Sequence, residues 1–376
     1  MQASARIAPR AQPAAGDAHR VVLVGKGPPD RGGIASFLVD LQKSDLRARH
    51  ELRLVNLYQD GDRAGGRLTA ANVTRTLGDA GRVWRAARGA ELVHIHTALV
   101  PLVTLARVGW LSVAARLAGA RVLVHVHSGM VEPWLARRPR RILARLALAA
   151  AHCVVTVSSG SEAALKAALS GGRVRLVYNG VDLAAYDAGP AHDPPRILFA
   201  GVLTPRKGVI DLLQASRLLL DRGVAHELLL AGGTPEEGTR IEAEVRQAAS
   251  TTAPAARFLG PQPHEEMPAL YREADVFCLP SWWEAMPLTI LEAMAAGLPV
   301  VATPVGDIAR MVEDGVTGRL VAPNQPQALA DALEPLLRNV ERRRAMGRMA
   351  AQRVSDRFSI AGTAAALDRL YREVLV

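Results

Sequence analysis

Residues 20–37 read RVVLVGKGPPDRGGIASF, and residues 196–213 read RILFAGVLTPRKGVIDLL. Each opens on a short apolar run, read as a strand buried on both faces. A loop carrying Gly and Pro follows, and the chain then takes up helical spacing, in the first copy at Ile34, Phe37, Leu38 and Leu41. Working outward, strand-like runs recur at 52–57, 91–96, 121–126 and 153–157, and again at 227–232, 257–260, 275–280, 299–303 and 318–322. Helical stretches separate them. Strands alternating with helices imply a parallel sheet covered on both sides. The pattern breaks once, at 183–195 (LAAYDAGPAHDPP), and restarts. The expected fold class is therefore α/β, with two doubly wound domains in tandem at 20–182 and 196–358 and a linker at 183–195. A tail at 1–19 is expected to be mobile. The last segment, 359–376, is amphipathic through Ile360, Leu367, Leu370 and Leu375. It could pack on either domain, and the N-terminal one is expected.

Composition narrows the classes. At 376 residues the chain can hold two cores, and 49% hydrophobic content is far from a disordered composition. Cys153 and Cys278 stand far apart with no ligand-like spacing of His, which argues against a disulfide scaffold or zinc site and suits a reducing compartment. Residues 1–19 contain no apolar run of leader length, and no window reaches the ~18 apolar residues of a spanning helix. A cytoplasmic protein, soluble or peripheral on the inner face of a membrane, is expected. Charge is uneven. Residues 1–190 carry 26 Lys+Arg against 13 Asp+Glu, whereas 191–376 carry 20 against 23. The basic half calls for an anionic partner: phospholipid, nucleic acid or a phosphorylated acceptor.

In open parallel sheets ligands bind beyond the carboxyl ends of the strands. The segment 281–304, SWWEAMPLTILEAMAAGLPVVATP, holds two carboxylates eight residues apart. Pro287 suits the first turn of a helix, and Gly297 with Pro299 suits its end. Glu284 then lies in the loop before that helix and Glu292 about one turn inside it. The free amides near Leu288 and Thr289 form a site for phosphate oxygens. Carboxylates on either side can accept hydrogen bonds from sugar and ribose hydroxyls. Against this, an arbitrary pair of Glu residues is most often a solvated helix residue and a loop charge. Arg206 and Lys207, in the loop after a strand ending near Gly201, could neutralise a diphosphate, although a basic turn is by itself usually only exposed.

These residues resemble glycosyltransferase family 4, whose members have the GT-B fold of two Rossmann-like domains facing across a cleft. The likeness runs over nearly the whole chain. Its most specific part is Glu284-x7-Glu292 with EAMAAGLPVVATPVGDIARMVEDGVTGRLV behind it, joined by VYNGVD (177–182) and the Arg206-Lys207-Gly208 turn. The resemblance implies retaining transfer from a UDP-, GDP- or similar nucleotide-sugar with no essential metal or other cofactor. By that analogy Glu292 binds ribose, Glu284 the transferred sugar, and Lys207 with Arg206 the diphosphate, assisted by the Leu288 and Thr289 amides. Gly32 and Gly33 would approach the phosphates or the sugar closely, where a side chain would clash. His127, just past a strand end, would lie near the donor sugar, with His96 ranked behind it; His94 and His125 are read as structural. The catalytic group is thus Glu284, His127 and Lys207. Two departures stand out: Gly201-Val202 replaces the usual Gly-Arg, and Met286-Pro287 the usual Phe-Gly.

No carboxylate in the first-domain motifs is an obvious nucleophile, so transfer on a single face is expected. The stretch 132–150 carries five Arg, and after Pro139 its Ile142, Leu143, Leu146 and Ala150 share one helical face. It reads equally as a helix lying on an anionic leaflet and as one covering the sheet. A lipid-linked saccharide acceptor fits the former. The rivals are another GT-B enzyme, such as a nucleotide-sugar epimerase or phosphorylase, and a nucleic-acid-binding protein. The last is disfavoured because no recognition motif or aromatic platform accompanies the arginines.

Overall fold

The computed structural model describes residues 18–30, 32–58, 70–169, 171–233, 239–253 and 256–376. Residues 1–17 of the expected tail, and Arg31 of the RGGI loop, lie outside the described residues.

Six strands form a parallel sheet in the N-terminal half: β1 (Arg20–Gly25), β2 (Glu51–Asn56), β3 (Leu92–Thr97), β4 (Arg121–Val126), β5 (Cys153–Thr156) and β6 (Val174–Leu176). Their order is β2-β1-β3-β4-β5-β6. A second parallel sheet holds β7 (Arg196–Ala200), β8 (Glu227–Ala231), β9 (Ala256–Gly260), β10 (Val276–Leu279), β11 (Val300–Ala302) and β12 (Gly318–Leu320), in the order β12-β11-β10-β7-β8-β9. β3 is buried at every position, as helices on both faces demand. Successive residues of β1 serve opposite cores: Val21 and Leu23 enter one cluster, Val22 and Val24 the other. β2, at the edge, exposes Glu51 and Arg53 instead, charges that suit an unpaired edge. β6 is the one strand that apolar patterning does not reveal, being three residues long with Arg175 at its centre.

The chain reverses direction across each sheet at one point, between β1 and β3 in the first and between β7 and β10 in the second. Loops leaving adjacent strands in opposite directions open a crevice there. The linker is pinned to the second domain by buried Asp275, which accepts hydrogen bonds from the backbone of His192 and Arg196 and from Arg343. The helix Ile360–Leu375 crosses back to the first domain. Its entry passes so close to Gly180 that a Cβ there would lie 2.4 Å from the Ser359 carbonyl oxygen. Farther along, buried Asp368 accepts from Arg49 at 2.8 Å and bonds His50 Nε2 at 2.9 Å, and Tyr371 is fully buried.

Candidate functional site

The two halves meet along the segments that follow their strands. Beyond β10, the loop 280–287 carries Glu284; beyond β7, a single 3-10 turn, Pro205–Lys207, carries Arg206 and Lys207. Because β7 and β10 are hydrogen-bonded neighbours, the two loops are adjacent. Lys207 Nζ meets Glu284 Oε1 at 2.5 Å, and the Ser281 hydroxyl donates to the same oxygen at 2.8 Å. Both charged side chains are largely buried, so the pair is held in place and only partly screened by water. Gly208 follows with φ +70°, and a Cβ there would lie 2.0 Å from the Pro280 carbonyl oxygen. Only glycine lets the Lys207 turn sit this close to the Glu284 loop. Arg206 stacks over the Trp283 ring at 5.5 Å, and Trp282 Nε1 donates to Asp211.

Pro287 caps the helix Leu288–Ala295. Leu288 and Thr289 are its first two residues, whose N–H groups have no acceptor inside the helix. Glu292 is the fifth residue, and it is buried rather than solvated. Its Oε2 accepts from Tyr271 at 2.7 Å. Burial raises its pKa, with the Tyr271 bond and nearby His264 acting in the opposite sense. His264 Nδ1 stands 3.9 Å from Glu292, while its Nε2 bonds Asp40 of the first domain at 2.9 Å. Desolvation lowers the His264 pKa, but the Asp40 bond and charge outweigh it and the net shift is upward.

The first domain encloses this loop. A Cβ on Gly129, just past β4, would lie 2.2 Å from the Glu284 carbonyl oxygen, and one on Gly306 (φ +58°) would lie 2.4 Å from it on the other side. Asn179 Nδ2 donates to the Met286 carbonyl at 2.9 Å. Asp307 accepts from the Ser159 hydroxyl at 2.7 Å and from its amide at 3.0 Å. The Glu284 loop is thus clamped by backbone contact and by both domains. Gly32 caps the helix Gly33–Lys43, and nothing lies within 4 Å of where a Gly33 Cβ would be. A cavity of about 220 Å³ opens beside it, between Pro28, Asp30 and Ser36 of one domain and Pro263, His264 and Glu265 of the other. The structure therefore brings Lys207, Glu284 and the helix carrying Leu288, Thr289 and Glu292 together on one domain, with the Gly32-Gly33 turn on the other.

His127 is not a solitary histidine. Its ring packs 5.1 Å from Phe37, and its Nε2 bonds His96 Nδ1 at 3.1 Å. His94, His96 and His125 complete a stacked group; His94 Nδ1 bonds the Tyr371 hydroxyl at 2.7 Å. Burial pulls the pKa of His94 and of His127 down to about 3, and those of His96 and His125 well below the ordinary 6.5, so all four rings are neutral at neutral pH. One nitrogen each from His94, His96 and His125 lie within 4.8 Å of one another, the one group among the described residues that could hold a metal ion. His94, His96 and His125 are buried within this group, whereas His127, the first residue past β4, keeps part of its surface exposed at the strand end.

Asp40, Gly129, Asn179, His264, Tyr271, Gly306 and Asp307 join the site beyond the residues expected there. Asn179 and Asp307 lie inside segments quoted for the resemblance, so a signal existed. Asp40, His264 and Tyr271 had none, because they are drawn to Glu292 from three separate elements.

The sequence profile described as Glycosyltransferase Family 4 matches residues 31–185, and that described as Glycosyl transferases group 1 matches 186–353. A D-inositol 3-phosphate glycosyltransferase from Corynebacterium efficiens is 36% identical over 222 residues, 54% of this chain and 51% of that protein. Its counterpart from Corynebacterium urealyticum is 39% identical over 180 residues, 47% of this chain and 42% of that protein. The chain spans about half the length of the curated relatives it matches. Among solved structures, sucrose-phosphate synthase from Thermosynechococcus elongatus superposes with a TM-score of 0.76 at 25% identity, over 95% of this chain and 99% of that one. Anabaena HepE, solved with UDP and glucose, gives 0.73 at 19% identity, over 94% of this chain and all of that one.

Proposed function

The chain belongs to the group 1 glycosyltransferases of glycosyltransferase family 4, with the GT-B fold, and on that premise we propose that it transfers a sugar from a UDP- or GDP-linked donor to a membrane-associated, lipid-linked saccharide. The observation that carries this reading is the Lys207–Glu284 pair at the switch point of the second sheet, with Glu292 and the amides of Leu288 and Thr289 beside it.

In this reading the diphosphate lies against Lys207, Arg206 and the helix amides, and displaces the Lys207 ammonium from Glu284. Glu284 is then free to accept hydrogen bonds from the transferred sugar, while Glu292 takes the ribose hydroxyls. The Gly32-Gly33 turn closes over the phosphates from the opposite domain. The bond from the anomeric carbon to the phosphate oxygen breaks as the bond to the acceptor oxygen forms on the same face. The acceptor proton passes to the leaving phosphate, so configuration is retained without a protein nucleophile. Domain closure excludes water and suppresses hydrolysis.

Lys207, Arg206 and the helix amides carry the charge of the leaving group, so the reaction needs no metal. Chelator-treated, metal-free protein is expected to keep its full transfer rate; loss restored by a divalent ion would overturn this part. The acceptor places the protein in the cytoplasm, peripheral to the inner face of the cell membrane, in polysaccharide or glycan assembly, with no nucleic-acid partner.

A thermal-shift series with UDP-, GDP-, ADP- and dTDP-sugars tests the donor site. One nucleotide is expected to stabilise the parent and to lose that effect in both Lys207→Ala and Glu292→Ala. No shift with any donor at millimolar concentration would sink the proposal.

A further inference from the structure

The stretch 132–150 left two readings equal, a helix covering the sheet or one lying on a membrane. In the structure the helix Arg138–Ala147 buries only Ala144 completely. Ile142, Leu143 and Leu146, the apolar face, point outward, Leu146 with 68% of its surface exposed. Beside them runs the helix Leu102–Leu117, which exposes Leu102, Trp110 (55%), Val113 and Leu117. The helices touch at Gly109, where a Cβ would lie 3.2 Å from the Ala147 carbonyl oxygen. From that contact they diverge into an apolar groove of about 490 Å³ lined by Leu102, Leu105, Trp110, Leu143 and Leu146. A water-exposed apolar groove of this kind marks a binding surface rather than an ordinary solvated face.

The helix that forms one wall of the groove also carries arginines, none of them in the lining itself. Arg141 and Arg145 are anchored through their Nε atoms to the carbonyls of Leu135 and Ala168, and Arg140 lies 5.2 Å over the Trp134 ring. Arg137 and Arg138 stand exposed at the start of the helix. Among the described residues no carboxylate pairs with any of these five.

We propose that this groove seats the protein on an anionic bilayer, with hydrocarbon chains entering between the two helices and lipid phosphates meeting the arginines. Charge selects this occupant over a second copy of the chain. Residues 1–190 carry twice as many cationic as anionic side chains, so two such faces brought together would set one arginine-rich helix against another. An apolar stripe flanked by Arg matches the interfacial mode of membrane binding. No described helix is long and apolar enough to cross a membrane. Position agrees. The helix Leu102–Leu117 starts five residues beyond β3, and the helix Arg138–Ala147 follows the Gly129 loop that touches Glu284. Both walls of the groove thus belong to the domain that contacts the Glu284 loop, and a bilayer seated there would hold that domain at the surface. The proposal rests on the membrane-associated acceptor proposed above.

Sedimentation with phosphatidylcholine vesicles, with and without phosphatidylglycerol, tests it. The parent is expected to pellet with the anionic vesicles, less so as salt rises, and to stay in solution with the neutral ones. Leu146→Asp, at an exposed site where folding should be unaffected, is expected to weaken binding by about tenfold or more. Arg137→Ala with Arg138→Ala should remove part of the preference for anionic lipid. Unchanged binding by Leu146→Asp, or no binding by the parent, overturns the proposal. So does a dimer in analytical ultracentrifugation that Leu146→Asp dissolves, because a second copy then covers the face. The donor thermal shift, read in parallel, keeps the two proposals apart: vesicle binding without any donor effect ends the transferase reading and leaves the docking face standing. The converse ends the docking face alone.

Discussion

Lys207 and Glu284 neutralise each other across 2.5 Å in a partly buried position, so removing either strands the other's charge. Lys207→Ala is expected to lower donor affinity or rate by about 10²–10³-fold, the usual consequence of deleting one preorganised charge or donor at a developing anion. Titration calorimetry with the donor found by thermal shift checks it, and a change under about threefold would remove Lys207 from the diphosphate site. Tyr271 has a different task. Its hydroxyl is a direct hydrogen-bond donor to a carboxylate whose pKa burial already raises. Tyr271→Phe should therefore raise the Glu292 pKa further and destabilise the fold by about 1–3 kcal/mol, the range for a buried acceptor losing its partner. Urea unfolding measures the second effect, and an unchanged midpoint would show that the bond contributes nothing.

At the scale of elements, two turns do the positioning. The Lys207 turn ends in a left-handed glycine pressed against Pro280, and the Glu284 loop is held between Gly129 and Gly306. Gly208→Ala combines an unfavourable φ with a clash against backbone, and is expected to cost more than about 1 kcal/mol. Gly129→Ala differs because its clash lies across the domain interface, where the halves can separate to relieve it. That variant should keep its melting temperature within a degree or two yet lose most transfer activity, since the Glu284 loop moves with the displacement. Equal activity in Gly129→Ala and parent would show that the close contact is incidental.

For the whole molecule, closure depends on a few polar links between domains: Asp40 with His264, Ser159 with Asp307, and Asn179 with Met286. The first responds to pH. His264 faces Asp40, Glu292 and Glu265, and its folded pKa lies above the ordinary 6.5. A folded pKa raised above the unfolded value stabilises fully below 6.5, and that stabilisation drains away as pH rises through the folded pKa. The parent should therefore lose more melting temperature than His264→Phe between about pH 6 and pH 8, the window in which a mildly raised histidine titrates. Parallel melting curves for the two across that window would exclude His264 as the titrating link.

Chain-local patterning carried the two alternating βα arrays, the break between them and the local chemistry of the Lys207 turn and the Glu284 loop. Strand-length apolar runs, glycines at turns and a proline before a helix are short-range signals, because backbone dihedrals and side-chain burial respond first to neighbours in the chain. β6 escaped because three residues with a central arginine carry no such period. Strand order decided the rest. It set β7 beside β10, which joined Lys207 to Glu284, and the packing of the two domains brought Asp40 to His264 beside Glu292. Stacking of the four histidines and the outward face of the helix Arg138–Ala147 were also tertiary decisions. An amphipathic pattern states that a helix has an apolar side, and only packing settles whether that side meets the core or water.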